Sequence, residues 1–285
     1  MTEGIDVSRH QGNINWGHVD ADFAIIRAGY GREVSQKDEQ FENNYTGCKS
    51  NKIPVGCYWY SYALDVEDAK REAKACLEVI KGKTFEYPIY FDVEESSQAK
   101  LPKTQMSAIV KAFCDELEKA GYWVGIYSYA SFLKEHLSID ILNRYAVWVA
   151  HTGVNAPNYD KPYGMWQYSH TSRVSGINGD VDKNKCYVDY PAKIKAAGLN
   201  GFKKSSKPEN KPKKSYAKGT KVTLKNAVIY ASASDKSGAG TLSGTYYIYD
   251  GEEVSGRYRI TNLKSSVGKT PIGKYVTGFV NKSDL

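Results

Sequence analysis

Short apolar runs rich in β-branched and aromatic residues alternate with segments of helical period over the first 199 residues of this chain. Runs of about four to eight such residues are typical of buried strands. They lie at residues 4–8, 23–28, 55–62, 87–94, 123–128, 145–150 and 165–168. This pattern predicts a sheet whose strands are separated along the chain by other elements.

Two of the intervening segments have the spacing of amphipathic helices. One is marked by Val66, Ala69, Ala73, Leu77 and Ile80. The other is marked by Ile109, Phe113, Leu117 and Ala120, and it is predicted to begin near Thr104 and end at Gly121. Strand–helix alternation indicates the α/β class, with parallel strands covered by helices. A closed barrel is favoured over an open sheet because about eight strand positions can be counted and no glycine-rich loop follows the first strand.

Repeated lysine, proline and serine residues at 203–215 divide the chain. Such a composition cannot bury a core and predicts an extended linker. We therefore expect domains at 1–199 and 217–285, joined by a linker at 200–216. A nucleic-acid-binding patch is the alternative, but no aromatic residues interleave with the lysines.

Charge is distributed unevenly across this boundary. Residues 1–199 contain 23 Lys and Arg against 26 Asp and Glu, whereas residues 200–285 contain 16 against 6. The basic C-terminal part predicts attraction to a polyanion. Its sequence shows strand-like runs at 221–224, 228–230, 244–249, 257–263 and 275–281, a turn at Asp250-Gly251 and no helical period. A small, barrel-like all-β domain is expected.

The five cysteines are scattered and form no C-x-x-C pair, so they are expected to be reduced core residues. They fit folding in a reducing cytosol. The N-terminus shows no basic-then-apolar leader, and no apolar run approaches the ~20 residues of a membrane span. The sequence therefore predicts synthesis without a signal peptide and no membrane insertion.

Two carboxylates end the apolar run at residues 87–94. Asp92 and Glu94 are two residues apart and are expected to point to the same face of a strand. In a parallel barrel the active site lies at the carboxyl ends of the strands. Crowding and desolvation would raise the pKa of at least one carboxyl, as a general acid requires. A solvated strand end or a salt-bridged pair is the alternative for this motif alone.

Further polar and aromatic residues follow other predicted strands. Asp6 ends the first strand, and Asp182 lies in a late loop predicted at 176–184. Aromatic residues near the strand ends include Tyr58, Tyr60, Tyr62, Tyr127, Tyr129, Trp148, Trp166 and Tyr168. Core packing would explain many of them. Carboxylates framed by aromatic faces are nevertheless what a saccharide cleft needs.

Four motifs together resemble those of the glycoside hydrolase family 25 lysozymes. They are Asp6-Val7-Ser8-x-His10-Gln11-Gly12, Asp92-x-Glu94, Met165-Trp166-Gln167-Tyr168 and Gly176-Ile177-x-Gly179-x-Val181-Asp182-x-Asn184. The resemblance implies a flattened, irregular β/α barrel with few outer helices. It also implies an N-acetylmuramidase that cuts the β-1,4 bond between N-acetylmuramic acid and N-acetylglucosamine in peptidoglycan.

The resemblance implies Asp6, Asp92, Glu94 and Asp182 as the catalytic acids. Glu94 is the expected general acid and base. Two routes stay open, a direct carboxylate nucleophile or attack by the substrate's own N-acetyl group oriented by Asp92, and both retain configuration. The substrate is expected to contact Tyr58, Tyr62, Tyr127, Trp148, Gln167 and Tyr168.

Other chemistries lack their motifs. His10, His18, His151 and His170 have neither metal-ligand nor triad spacing, and no G-x-S-x-G elbow occurs. We therefore predict no metal and no cofactor. A chitinase-type hydrolase would show D-x-x-D-x-D-x-E, which residues 87–94 do not.

The C-terminal part resembles the bacterial SH3-like domains of cell-wall hydrolases. The similarity lies in Val228-Ile229-Tyr230-Ala231, Gly244-Thr245-Tyr246-Tyr247-Ile248-Tyr249 and Tyr275-Val276-x-Gly278-Phe279-Val280. The resemblance implies binding to peptidoglycan or to its attached anionic polymers, and no nucleic-acid partner. A domain that serves only solubility or dimerisation is the alternative.

The sequence thus predicts a phage or prophage endolysin, made in the host cytoplasm and acting on the cell wall. A bacterial autolysin and a glycan-binding protein without catalysis are the alternatives. The four acids argue against the last, since binding alone needs no acid pair.

Overall fold

The structure, a computed structural model, describes residues 1–203 and 215–285 of the chain. The chain divides into two compact units, Met1–Lys207 and Pro208–Leu285, here called the first and the second unit. Most of the predicted linker, residues 204–214, lies outside the described residues.

The first unit is built on a closed eight-stranded barrel in which neighbours in the chain are neighbours in the sheet. The strands are β1 (Thr2–Val7), β2 (Phe23–Tyr30), β3 (Val55–Tyr60), β4 (Ile89–Asp92), β5 (Val124–Tyr129), β6 (Ala146–Ala150), β7 (Met165–Ser172) and β8 (Val181–Cys186). Strands β1 to β7 pair in parallel, whereas β8 pairs antiparallel with both β7 and β1. The barrel therefore closes through two antiparallel contacts.

Six α-helices connect the strands or follow them. They are α1 (Phe41–Ser50), α2 (Val66–Ile80), α3 (Lys103–Lys119), α4 (Ala130–His136), α5 (Ile139–Arg144) and α6 (Tyr190–Ala197). Helix α2 begins where the Asp65 side chain accepts the backbone N–H of Asp68, which satisfies a free helix N–H. Its buried face includes Ala69, Ala73 and Ile80, as the sequence spacing predicted.

The seven predicted strands are all present, with small differences in their ends. The expectation of wholly parallel strands is wrong for β8, which occupies part of the predicted loop at 176–184. Asp182, Lys183, Asn184 and Lys185 are all polar, so this strand has no apolar run to reveal it. Polar groups are tolerated there because both polar atoms of the buried Asn184 side chain are hydrogen-bonded.

Strand β4 is anchored from outside the barrel by α3. The rings of Phe91 and Phe113 are stacked with centroids 3.9 Å apart and an interplanar angle of 13°, and both residues are fully buried. Stacked aromatic pairs add to the free energy gained by burial. This contact fixes the strand that carries Asp92.

The second unit is a closed antiparallel barrel in the strand order β10, β11, β12, β9. Its elements are β9 (Lys221–Tyr230), β10 (Gly240–Val254), β11 (Arg257–Thr261), α7 (Ile272–Tyr275) and β12 (Gly278–Asn281). Alternate residues such as Val222, Leu224 and Ile248 point into its core. The all-β class is as predicted.

Three details of the second unit differ from expectation. The runs at 221–224 and 228–230 form one strand, and Asp250-Gly251 lies within β10 at a shift in register and not at a turn. One short helix, α7, is present. A four-residue helix is too short to leave a periodic signal in the sequence.

Packed structure extends into both ends of the segment predicted as a linker. Asn200 is fully buried, and its side chain accepts the backbone N–H of Trp123 and donates to the carbonyls of Phe85 and Tyr87. Tyr216 is buried and contacts the ring of Tyr258 in the second unit. Isolated packed residues at domain ends carry no compositional signal.

All five cysteines are buried and free, as predicted. Burial raises the pKa of each thiol. Within residues 1–203 and 215–285, no helix is long and apolar enough to cross a membrane.

We predict that Phe113→Ala destabilises the first unit by about 3–5 kcal/mol, because it leaves a cavity beside β4. All five tryptophans lie within residues 16–166, so tryptophan fluorescence during urea unfolding reports on the first unit alone. Thr104→Ala, at an exposed position on the same helix, is the control and should change stability by less than about 0.5 kcal/mol. A loss below about 1 kcal/mol for Phe113→Ala would contradict the assigned contact.

Candidate active site

Four carboxylates meet at one end of the barrel of the first unit. Asp6 lies near the carboxyl end of β1, Asp92 is the last residue of β4, and Glu94 follows two residues later. Asp182 lies near the start of β8 and is the direct register partner of Asp6. Because β8 runs antiparallel to β1, its beginning lies at the carboxyl ends of the other strands. The four acids line one cavity of about 220 Å³, here called the central slot.

Asp6 is held by two amide side chains from the neighbouring strands. Its Oδ2 accepts a hydrogen bond from Gln167 Nε2 at 2.9 Å and from Asn184 Nδ2 at 2.8 Å. The amides are themselves fixed, since Gln167 Oε1 accepts from the Tyr127 hydroxyl and Asn184 Oδ1 from Trp148 Nε1. The network therefore fixes the position of Asp6 Oδ2.

Burial and crowding raise the pKa of the two deepest carboxyls. For Asp6 the largest cause is burial, followed by the charge of Asp182, and the two amide donors oppose these effects. For Asp92 burial is again first, followed by the charges of Glu94 and Asp6, while the charge of Arg27 acts in the opposite direction. Asp92 Oδ1 is buried and has no hydrogen-bond partner among the described residues. It is thus a free acceptor inside the central slot.

Glu94 and Asp182 lie nearer to solvent than the other two acids, and both are only partly buried. The pKa of Glu94 is raised mainly by burial, an effect opposed by a hydrogen bond with Tyr129 and increased by the charges of Glu95 and Asp182. The pKa of Asp182 is also raised by burial. A partly exposed carboxyl with a raised pKa is suited to exchange protons with a bound group.

Two further cavities adjoin the central slot. The wide flank, of about 650 Å³, shares Glu94, Tyr127, Gln167 and Asp182 with the slot. The narrow flank, of about 400 Å³, shares His10, Arg27 and Tyr60 with it. Glu94 therefore lies where the slot meets the wide flank, inside an elongated cleft. Such a shape fits an extended polymer.

Five of the six residues predicted to contact substrate lie in this cleft. Tyr58, Tyr127, Trp148 and Gln167 line the central slot, and Tyr62 lines the narrow flank, where it is 49% exposed.

Tyr168 is placed elsewhere. Its hydroxyl donates to Glu3 Oε2 at 3.3 Å, and Lys185 Nζ lies 4.8 Å from its ring centroid. Adjacent strand residues point to opposite faces, so Gln167 and Tyr168 cannot both face the slot.

Arg27 is a lining residue that the sequence interpretation missed. Its Nε donates to Asp38 Oδ2 at 2.6 Å, and both side chains are at least 90% buried. Asp38 also accepts the backbone N–H groups of Arg9 and Gln40. The signal was available, because a charged residue inside the apolar run of β2 needs a buried partner.

The loop that carries Tyr62 is held in place by a hydrogen bond to a buried carboxylate. Glu72 on α2 is fully buried, and its Oε1 accepts the backbone N–H of Tyr62 at 2.8 Å. Burial raises the pKa of Glu72 to about 7, although the hydrogen bonds from Tyr62 and Ser61 oppose this. This residue, too, was not identified from the sequence.

Proteins of known family and structure share this fold. The family model described as "Glycosyl hydrolases family 25" matches residues 5–177, which is more than half of the chain. The chain belongs to this family.

Among curated relatives, the autolytic lysozyme of Clostridium acetobutylicum is 30% identical over 183 residues, which cover 63% of this chain and 54% of the relative. The chain thus spans about half the length of that protein. Among solved structures, the modular autolysin LytC of Streptococcus pneumoniae, in complex with a synthetic peptidoglycan ligand, is 34% identical with a TM-score of 0.59, over 65% of this chain and 46% of that one. The CTP1L endolysin is 25% identical with a TM-score of 0.59, over 69% of this chain and 70% of that one.

We predict that the first unit loses stability as pH rises from about 4.5 to about 7, because folded Glu72 keeps its proton where the unfolded side chain has lost it. The contribution of protonated Glu72 to the free energy of unfolding is fully present below the pKa of the unfolded side chain, and it is lost as pH approaches 7. Glu72→Gln should remove this part of the pH dependence of stability. Relative to the parent chain, the variant should gain up to about 3 kcal/mol in free energy of unfolding between pH 4.5 and pH 8.

Urea unfolding of both proteins at a series of pH values, followed by tryptophan fluorescence, measures this difference. Glu78→Gln, on the exposed face of the same helix, is the matched control. Parallel stability curves for the parent chain and Glu72→Gln would contradict the assignment of Glu72.

Proposed function

We propose that the chain is a peptidoglycan hydrolase of the lysozyme type, an N-acetylmuramidase. The observation that carries the proposal is the position of Glu94, a carboxyl of raised pKa at the junction of a deep acidic slot and an open flank. A glycan lying along the cleft would present a glycosidic oxygen at this junction. The names of the relatives, an autolytic lysozyme, an autolysin bound to a peptidoglycan ligand and an endolysin, support the substrate class.

Glu94 would act as the general acid and then as the general base. Its burial favours the protonated form, so it can donate a proton to the oxygen of the departing sugar. Once ionised, it can accept a proton from the water that attacks the anomeric carbon. One residue thus serves both steps, as microscopic reversibility requires in a retaining reaction.

Asp92 would position the N-acetyl group of the sugar in the slot. Its unpartnered Oδ1 can accept the amide N–H of that group. The acetamido oxygen then forms a bond to the anomeric carbon as the bond to the leaving oxygen breaks and Glu94 supplies the proton. Water opens the resulting oxazolinium ion from the face that the leaving group occupied, so configuration is retained. Asp6, held by two amides, and its register partner Asp182 would support this arrangement.

The second unit would hold the enzyme on the cell wall, as an SH3-like binding domain does. Support comes from its closed antiparallel barrel and from its excess of basic residues. Anionic wall polymers would attract such a surface, and attachment would raise the local concentration of the first unit at its substrate. The similarity to the CTP1L endolysin supports a phage lytic role, with action on the wall outside the membrane.

We predict that the purified chain creates new N-acetylmuramic acid reducing ends in peptidoglycan, and that Glu94→Gln lowers the rate at least ~100-fold because general acid catalysis is lost. The ends are reduced with borohydride and identified by mass spectrometry. Glu95→Gln, the adjacent carboxylate that accepts a hydrogen bond from Tyr60, is the matched control and should remain active.

If the new reducing ends carried reduced glucosamine in place of reduced muramic acid, the enzyme would be a glucosaminidase. The absence of new ends with several walls, from folded protein, would favour a glycan-binding protein without catalysis. Full activity of Glu94→Gln would overturn the role of this residue.

We predict that wall binding depends on the charge of the second unit. In the Glu94→Gln background, replacing the exposed Lys221, Lys225 and Lys236 by Gln should weaken co-sedimentation with walls at low salt, and the difference should shrink near ~1 M salt. The matched control replaces three exposed lysines of the first unit, Lys74, Lys100 and Lys193, by Gln. Equal effects of the two triple variants would show that only total charge matters.

A further inference from the structure

The wide flank is an unexplained part of the cleft. It is larger than the central slot, and the reaction proposed for Glu94 does not require its far end. Its acidic lining residues are Glu94 and Asp182, both at the border with the slot. The other charged or basic groups that line it are Lys134, His151 and His170, and the charge of His170 acts on Asp182. The wide flank therefore combines two acids that it shares with the slot with three basic residues that do not line the slot.

Lys134 supplies the fixed positive charge. It lies on α4 and is partly buried, and within the described parts of the chain no carboxylate is within ion-pair distance of its Nζ. Asp160 is an acid on which its charge acts. The pKa of Asp160 is lowered first by the hydrogen bond from Lys161 and only last by Lys134, and Asp160 Oδ2 is already paired with Lys161 at 3.1 Å. The Lys134 ammonium group is thus left available.

The neighbouring groups add hydrogen-bond donors. His151 Nδ1 accepts the backbone N–H of Asn158 at 2.9 Å, so in the neutral ring the hydrogen lies on Nε2. His170 Nδ1 lies 3.0 Å from Thr152 Oγ1, which fixes the orientation of this ring as well. A lysine ammonium group beside oriented histidine rings provides hydrogen-bond donors suited to a carboxylate.

We infer that the far end of the wide flank binds the carboxylate-bearing peptide substituent of the muramic acid residue, with Lys134 as its cationic contact. The inference rests on the proposed muramidase function and adds a specificity determinant to it. Muramic acid carries its peptide in amide linkage to its lactyl ether, so the peptide carboxylates are tethered through that group to the sugar that Glu94 acts on. The wide flank is continuous with Glu94, which is the geometry that such a linkage needs.

The test compares soluble, uncross-linked glycan strands that differ only in this substituent. One strand keeps its peptides, a second has them removed by an amidase and exposes the lactyl carboxylate, and in a third that carboxylate is converted to a methyl amide. Binding is measured by calorimetry in the Glu94→Gln background, and KM and kcat are measured in the active chain. The variants are Lys134→Met, Lys134→Arg and the control Lys119→Met, which removes an exposed lysine from α3.

Lys134→Met should weaken binding of the peptide-bearing strand about five- to tenfold and raise its KM by a similar factor, with little change in kcat, because a charge-assisted hydrogen bond is lost. The neutral strand should be unaffected, and Lys134→Arg should restore most of the affinity. Lys119→Met should resemble the parent chain with every strand.

Three results would overturn the inference. In the first, Lys134→Met weakens the binding of neutral and anionic strands equally. In the second, it weakens the binding of neither. In the third, poly(glycerol phosphate) displaces the peptide-bearing strand, which would assign the wide flank to wall-polymer phosphates. If no strand is hydrolysed but the Glu94→Gln protein still discriminates by charge through Lys134, the muramidase proposal fails while the anion site stands.

Discussion

Burial of four carboxylates close together at one barrel end is the constraint on which the site depends. Four like charges in a cavity of about 220 Å³ cannot all ionise at low cost, so the protein must distribute the protons among them. Burial favours the neutral form of Asp6 and Asp92 most strongly. Partial exposure leaves Glu94 better able to exchange its proton. Differences in depth, on strands fixed by the barrel, thus give neighbouring carboxyl groups different tendencies to hold a proton.

The geometry of the barrel closure makes this arrangement possible. The antiparallel β8 returns polar side chains to the end at which the parallel strands finish, and it brings Asp182 opposite Asp6. Asn184, two residues further along β8, points to the same face and donates to Asp6. A parallel eighth strand would present its beginning at the opposite end of the barrel. The reversal of one strand is therefore part of the site as well as part of the fold.

Much of the fold and part of the site could be predicted from the sequence, for reasons that particular residues show. The strands β1 to β6 and the start of β7 are largely buried, and their apolar runs leave a clear signal. Strand β8 gives no such signal, since hydrogen bonds and not apolar contacts hold Asn184. The placement of Tyr168 in the cleft conflicts with the alternation of β7, which already assigns Gln167 to the interior. A charged residue inside the apolar run of β2 signals a buried partner for Arg27, but the sequence alone does not show that Asp38 is that partner.

Burial of the five thiols has a consequence for where such a protein can work. A cysteine reacts with oxidants and with disulfides as the thiolate, and burial suppresses ionisation of all five. The thiols are therefore shielded from oxidants and from thiol–disulfide exchange for as long as the first unit stays folded.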